Sequence, residues 1–326
     1  MDHAIRMRLS VLGVASAVVM TTAAPAVAQS ELRTAWGAPD LQGVWDFRSI
    51  TPLQRPEKLA DKEFLTEEEA ANLEQETVDR EERLLNRPAR RTEAGGNVDR
   101  GEDGALGAYN DFWLDRGTTT IGTRRTSLIV DPPDGRLPAR TPEAEQRAEA
   151  RRAVERPPFP RGPEDLGGGL RCGGGRVPMT GRGYNSNYQI VQSAGHVAIL
   201  MEMMHDIRII PLDDRPHLTS AIRTALGDAR GHWEGDTLVV ETTNLKRGSG
   251  GATRELRLVE RFTRVAQDTL QYEYTMHDPT TWTQPWTARI FMRPAPGTGV
   301  IYEFACHEGN YALEHTLRGA RLQEGR

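Results

Sequence analysis

Alternating hydrophobic and polar positions run through the second half of this chain and predict short β-strands joined by tight turns. The clearest unit is residues 231–242, in which a β-branched run at 237–240 follows the turn Glu234-Gly235-Asp236. β-Branched side chains suit a pleated surface, and Gly235 can take a positive φ without steric cost. This hairpin, with similar units on both sides from about 184 to 308, marks the predicted functional body of the protein.

The same alternation predicts the other strands, and two short helices are predicted among them. Turn residues separate patterned stretches at 188–192, 196–203, 207–212, 255–265, 270–277, 286–292 and 300–307. A helix is predicted at 218–226 and a closing helix at 311–317, with Gly319 at its end. Short strands at this spacing are typical of an antiparallel sandwich or barrel, so the predicted fold class is mainly β with a short C-terminal helix.

Residues 29–170 differ from the rest, because they are polar and interrupted by Pro, Gly, Arg and Glu. Thr66 and Glu69 have the spacing of a capping box, which predicts a helix to about Leu85. Thr141 and Pro142 predict the start of a second helix, and the alternating stretch 41–47 predicts an early strand. We therefore predict an N-terminal wrapping segment of helices and loops over 29–170 and a β-barrel domain over 171–326.

The first 28 residues have the features of a cleavable signal peptide. Arg6 and Arg8 precede an apolar run at 9–20, and Ala26-Val27-Ala28 is a small-x-small cleavage site. The apolar run is too short to span a bilayer, so no stable membrane insertion is predicted after cleavage. The protein is predicted to be periplasmic or secreted, and the alternative is a retained N-terminal anchor.

The chain has two cysteines, Cys172 and Cys306, and both follow the predicted signal peptide. Disulfides persist outside the cytoplasm, so a bridge between them is predicted. Such a bridge would clamp the wrapping segment against the last predicted strand, next to His307. The alternative is two separate buried thiols, because cysteine is among the most buried residue types.

Three short motifs carry a resemblance to known proteins. The Gly-x-Trp-x-Gly-Asp-x-Leu-x-Val hairpin, the preceding stretch 208–212 and the tail 306–311 resemble a large, mostly uncharacterised group of secreted bacterial proteins. The early Gly43-x-Trp45 pair and the strand meander with its closing helix are similar to the calycin superfamily, the lipocalins and their relatives. The calycin resemblance implies a barrel with a pocket for a small apolar molecule. An insertion of more than a hundred residues after the first strand departs from a plain lipocalin.

Three dipeptides place an imidazole beside a carboxylate: His205-Asp206, His277-Asp278 and His307-Glu308. Neighbours in a regular strand face opposite sides, so pairing would have to run across strands. Strand parity groups His277 with Glu273, and His307 with Glu303, on polar faces. Those faces are either solvated or line the lumen. In the lumen, the residues would form an acid–base constellation, because histidine titrates near neutral pH.

Metal and cofactor chemistry are not predicted by any motif. The three histidines are zinc donors, but no two have the short spacing of zinc ligands, so no metal site is predicted and any cofactor is left open. The sequence lacks a Gly-x-Ser-x-Gly elbow, a His-Glu-x-x-His helix and a strand followed by Gly-x-Gly-x-x-Gly. A formal net charge of −5 gives no reason to expect a nucleic-acid partner.

Methionines and aromatic residues are the candidates for ligand binding, because thioethers and rings adapt to apolar molecules. The candidates are Met201, Met203, Trp233, Trp282, Trp286, Tyr109 and Trp113. The alternatives are ordinary core for the barrel residues and a plug of one barrel end for Tyr109 and Trp113. The leading hypothesis is a barrel that binds a small, largely apolar or aromatic molecule. The alternatives are a hydrolase, lyase or isomerase using acid–base chemistry, and a structural or protein-binding module.

Overall fold

The computed structural model describes residues 32–86, 115–153, 159–173, 177–180, 184–297 and 299–324. The predicted signal peptide lies outside these residues. The strands are β1 (Gly43–Asp46), β2 (Ile129–Asp131), β3 (Asn187–Gln192), β4 (His196–Met201), β5 (Ile207–Pro211), β6 (Asp228–Glu234), β7 (Thr237–Thr243), β8 (Arg257–Ala266), β9 (Thr269–His277) and β10 (Trp286–Pro294). The helices are α1 (Glu67–Leu85), α2 (Pro142–Ala153) and α3 (Ala312–Glu324).

The strands form one antiparallel sheet that curls into a nearly closed barrel. Their order is β5-β4-β3-β1-β10-β9-β8-β7-β6, and β2 adds to β10 beside this path. β5 and β6, the two ends of the order, lie next to each other without a hydrogen-bonded ladder between these strands. The predicted mainly β, antiparallel fold class is confirmed. The early strand is confirmed as β1, so the barrel takes β1 and β2 from the predicted wrapping segment.

The β6–β7 hairpin has the turn that its sequence predicts. Glu234 pairs with Thr237, and Gly235 between them has a φ of +59°. A second glycine of the hairpin, Gly231, lies at the seam with β5. A Cβ atom there would lie 2.9 Å from side-chain carbons of Ile210 and Leu212. The missing side chain of Gly231 therefore lets β6 approach β5 closely enough to bring the barrel near closure.

Side chains on alternate positions of the strands point into the barrel, as β-strand geometry requires. On β9, Tyr272, Tyr274 and Met276 point inward and are fully buried, whereas Glu273 and His277 lie on the outer face. One barrel end is closed by Trp45, whose indole Nε1 donates to the Leu41 carbonyl at 2.9 Å. The guanidinium of Arg264 lies 5.4 Å from the Trp45 ring centroid and covers it from outside.

The N-terminal helices begin as predicted. The Thr66 hydroxyl accepts a hydrogen bond from the Glu69 N–H, and the Glu69 carboxylate accepts one from the Thr66 N–H. Helix α2 is fixed to the barrel because the Thr141 hydroxyl donates to the Thr280 carbonyl and accepts from the Ala144 N–H. Among the described residues, no helix combines the length and apolar character needed to cross a membrane.

Three predicted elements differ from the structure. Residues 218–226 are a series of turns, because the buried Asp228 carboxylate binds the Leu218 N–H at 2.8 Å and holds the chain in a loop. Residues 300–307 form no strand, since β1 already occupies the free edge of β10. Helix α3 continues past Gly319 to Glu324, where Arg321 and Glu324 pair on its last turn.

Cys172 and Cys306 form the predicted disulfide, with Cα atoms 5.7 Å apart. Neither cysteine lies on a strand. The bridge joins the loop 159–173 to the segment that leads into α3. The Asn310 side chain reinforces this junction by donating to the Leu170 carbonyl at 2.9 Å. The bridge therefore joins two segments outside the sheet and does not hold the wrapping segment against a barrel strand. A disulfide fits the predicted export of the protein.

Candidate functional site

A cavity of about 480 Å³ opens at the barrel end opposite Trp45, where β1 and β9 end and β10 begins. This volume falls within the roughly 300–1,000 Å³ of typical small-molecule sites. The inner wall is apolar and includes Phe47, Tyr274, Met276, Trp286 and Ile290. The rim is polar and comes from four parts of the chain that are distant in sequence: Arg48, Ser49 and Thr51; Arg116; Thr180; and Ser249.

Two buried polar atoms belong to side chains in the cavity wall. The Tyr274 hydroxyl and the Trp286 indole Nε1 have no hydrogen-bond partner among the described residues, although Tyr274 is 0% and Trp286 2% exposed. Their rings meet edge to face, with centroids 5.8 Å apart. Burial raises the pKa of Tyr274, so its hydroxyl stays protonated and can donate. Buried polar groups are normally paired, so these two atoms call for an explanation.

The charges at the rim are largely compensated. Arg48 places its Nε 2.9 Å from both carboxylate oxygens of Asp46 and also pairs with Asp115. Arg116 is exposed at the same rim. The cavity therefore combines an apolar wall and two neutral donors with a polar mouth whose more buried arginine already has acidic partners.

The paired and unpaired tyrosines of β9 predict opposite effects of the same substitution. Tyr274→Phe should raise the free energy of unfolding by up to about 1–3 kcal/mol, because the buried hydroxyl that it removes makes no hydrogen bond to a described residue and carries an uncompensated desolvation cost. Tyr272→Phe should lower it by about 1–3 kcal/mol, because that hydroxyl donates to Glu260 at 2.8 Å and accepts from the Met179 N–H at 3.0 Å. Urea denaturation of both variants provides the measurement. Equal losses would show that Tyr274 is also paired.

A fully buried ion pair lies deeper in the barrel. Arg208 donates to the two carboxylate oxygens of Glu260 at 3.0 and 2.5 Å, and it also donates to the Thr242 hydroxyl at 3.2 Å. Burial alone would lower the pKa of Arg208, but the charge and hydrogen bonds of Glu260 outweigh it and raise that pKa. Burial and the Glu260 charge also raise the pKa of Tyr272 well above its usual value. This network is a polar layer of the barrel interior and is linked through Tyr272 to β9, the strand that also carries the cavity residue Tyr274.

The predicted ligand-binding residues are distributed over several parts of the barrel. Trp286 lines the cavity, and Trp282 packs edge-on behind it at a centroid distance of 5.5 Å. Met201 is buried in the core, whereas Met203 and Trp233 are half-buried and are not part of the cavity wall. Tyr109 and Trp113 lie outside the described residues, so their role stays a prediction.

The predicted acid–base residues occupy separate surfaces. His277 and Glu273 lie on the outer face of β9, where Glu273 accepts a hydrogen bond from Arg289 at 2.8 Å. The C-terminal candidates Glu303, His307 and Glu308 are exposed on the segment beside the disulfide. None of these five side chains lines the cavity. Their catalytic role stays a prediction, without a shared site among the described residues.

The Asp278 carboxylate is held by hydrogen bonds from neighbouring loop residues. It is buried and accepts hydrogen bonds from the Thr280 hydroxyl at 2.7 Å, the Thr281 hydroxyl at 2.8 Å and the Thr253 N–H at 2.6 Å. Burial opposes the charged form, but these hydrogen bonds prevail and lower the pKa of Asp278. The carboxylate therefore stays ionised and joins the loop after β9 to the loop before β8.

His205 and Asp206 lie at the turn between β4 and β5, at the same barrel end as the cavity. The predicted strand 196–203 stops at Met201, because Met204 and His205 take left-handed φ values of 66° and 54° and reverse the chain. His205 therefore lies outside a regular strand, and the alternation of strand faces does not fix the direction of its side chain. Its Nδ1 is buried without a hydrogen-bond partner in the described chain, but His205 does not line the cavity.

Sequence reasoning identified Trp286 as a ligand-binding candidate but did not identify the ion pair or the second cavity donor, Tyr274. A signal for Glu260 exists, because it shares strand parity with Leu256, Leu258 and Phe262, which are all buried. Tyr274 has the same kind of signal from its apolar neighbours on β9. Arg208 has none, since alternation on β5 is equally compatible with burying Ile207 and Ile209, and the structure exposes both.

Sequence comparison gives this chain no family. No protein-family model matches it, and no curated protein matches it significantly. The resemblance to secreted bacterial proteins therefore stays a prediction. The nearly closed antiparallel barrel is consistent with the architecture that the calycin resemblance implies.

Proposed function

We propose that this chain is an exported β-barrel protein that binds a small, largely apolar or aromatic molecule in the cavity beside Trp286. The observation that carries this proposal is the combination of an apolar cavity with two buried, unpartnered donors in its wall. Sites for small molecules typically have apolar walls and a few placed polar groups.

The cavity also ranks the competing hypotheses. The hypothesis of a structural or protein-binding module requires an external polar face and a filled barrel. The cavity argues against a filled barrel. The hypothesis of an acid–base enzyme requires histidines and carboxylates that line the lumen. The described acid–base candidates do not line the cavity. Binding of a small molecule is therefore the function that these features support best.

Titration with N-phenyl-1-naphthylamine, a neutral fluorescent probe for apolar sites, tests the proposal. The probe should gain fluorescence with the wild-type protein. Ser249→Trp, which places an indole at the cavity mouth, should weaken probe binding by about tenfold or more. The matched control is Gln267→Trp, because Gln267 is exposed in the β8–β9 turn at the opposite barrel end. This variant should bind as the wild type does.

Absence of probe binding by folded wild-type protein would contradict the proposal, and so would equal losses in the two tryptophan variants. Native mass spectrometry of protein purified from its own host provides a second measurement. A bound small molecule is expected in the wild type and should be depleted in Ser249→Trp.

A further inference from the structure

Two aromatic side chains in the cavity wall differ from others in the barrel interior in the hydrogen bonding of their polar atoms. Elsewhere in the interior, comparable aromatic polar atoms are paired: the Tyr272 hydroxyl binds Glu260, and Trp45 Nε1 donates to Leu41. The polar atoms of Tyr274 and Trp286 lack partners among the described residues, and both side chains face the cavity. An unpaired buried donor costs about 1–3 kcal/mol, so a ligand that pairs these donors recovers this free energy on binding.

The two groups are neighbours on adjacent strands. Ala288 pairs with Tyr274 and Met276 pairs with Trp286, so Tyr274 and Trp286 are diagonal across the β9–β10 ladder. Their edge-to-face contact places both rings at the same part of the wall. Diagonal neighbours on one sheet face are within reach of each other when their side chains are aromatic. The two donors therefore belong to one patch of the wall.

The chemistry of the pair selects an acceptor. An indole N–H can only donate, and the phenol of Tyr274 remains protonated because burial raises its pKa. A ligand that satisfies both groups must therefore present an acceptor oxygen or nitrogen. A ligand hydroxyl could donate to Tyr274, but its proton would not serve Trp286.

The charge of the site favours a neutral acceptor. Arg48 already pairs with Asp46 and Asp115, and the remaining rim arginine, Arg116, is exposed at the mouth and not in the wall. A carboxylate next to Tyr274 would lose its hydration without gaining a buried cationic partner, and burial of an unpaired charge is expensive. A carbonyl oxygen has two lone pairs and loses much less hydration.

We infer that the cavity recognises a neutral, largely apolar molecule through a carbonyl oxygen that accepts hydrogen bonds from Tyr274 and Trp286. This inference rests on the proposed function and specifies its ligand class. Phe47, Met276 and Ile290 would contact the apolar body of the ligand, and its carbonyl would point to the β9–β10 wall.

A matched pair of ligands tests the inference. Fluorene and 9-fluorenone share one flat tricyclic skeleton, and the ketone oxygen replaces two hydrogen atoms. Their affinities can be measured by displacement of N-phenyl-1-naphthylamine from the intact protein. The wild type should bind 9-fluorenone about tenfold more tightly than fluorene, which corresponds to roughly one to two net hydrogen bonds.

Tyr274→Phe should reduce this preference to about threefold, because only the Trp286 donor remains. Tyr272→Phe is the matched control, since it removes a hydroxyl from the same strand face that is paired with Glu260. It should retain the tenfold preference even if its stability is lower.

The outcomes separate the ligand class from the proposed function. Equal affinity for the two ligands in the wild type overturns the carbonyl inference and leaves apolar binding intact. A preference that Tyr274→Phe does not change also overturns it. If neither compound displaces the bound fluorescent probe, the ligand class is excluded and the proposed function is not. Absence of probe binding overturns both proposals.

Discussion

Replacement of Glu260 by leucine is expected to lower the free energy of unfolding by about 3–5 kcal/mol. The substitution leaves the Arg208 guanidinium without its carboxylate partner in the barrel interior, where its side chain is 2% exposed. A buried charge that loses its partner retains the full cost of its desolvation. Urea denaturation followed by tryptophan fluorescence and far-ultraviolet circular dichroism provides the measurement.

The double variant Arg208→Met/Glu260→Leu is the control for this prediction. It removes both charges and keeps similar side-chain volumes, so its stability should recover most of the loss. A smaller deficit should remain, because the Thr242 hydroxyl loses the hydrogen bond from Arg208 and the Tyr272 hydroxyl loses its acceptor Glu260. If the double variant is as unstable as Glu260→Leu alone, the cost arises from packing and not from the uncompensated charge.

Removal of the disulfide is expected to have a comparable effect on stability. The bridge links residues separated by 134 positions, and this loop contains β3 to β10. In the chain-entropy model, opening so long a loop destabilises the folded state by up to about 4–5 kcal/mol. The double variant Cys172→Ala/Cys306→Ala should therefore melt well below the wild type, and thiol titration of denatured wild-type protein should detect thiols only after reduction.

Affinity for the fluorescent probe is the control for the disulfide prediction. Neither cysteine lines the cavity, so the folded double variant should bind N-phenyl-1-naphthylamine as the wild type does. A loss of affinity at temperatures where the variant is fully folded would show that the bridge is coupled to the cavity. An unchanged melting temperature would contradict the entropic contribution itself.

Local sequence signals predicted most of the sheet. The turn at Gly235, the capping box at Thr66 and the alternation on β9 each depend on neighbours within a few residues, and the structure agrees with all three. The failures involve segments whose state depends on distant partners. Residues 300–307 alternate like a strand, but the edge they would need is occupied by β1.

The cavity was less predictable than the fold. Its rim combines residues near Arg48, Arg116 and Ser249, and only the closed barrel brings these segments together. The sequence did identify Trp286, because an aromatic residue at the start of a strand is a visible candidate. Histidines near acids also indicated His277 and His307, which lie on the outer face of β9 and on the exposed segment beside the disulfide. Their catalytic role stays a prediction.

The position of β1 affects how the barrel can assemble. β1 joins β3 to β10, so in the described chain the hydrogen-bonded ladders of the two parts of the sheet are linked through a strand of four residues made before either partner. Its partner β10 begins at Trp286, so these contacts form only when most of the chain is available. Until the contacts between β1 and β10 form, the strand edges that meet there are unpaired. Contacts between such distant segments form slowly. This order delays closure of the barrel until β10 is available, so completion of the sheet depends on β1.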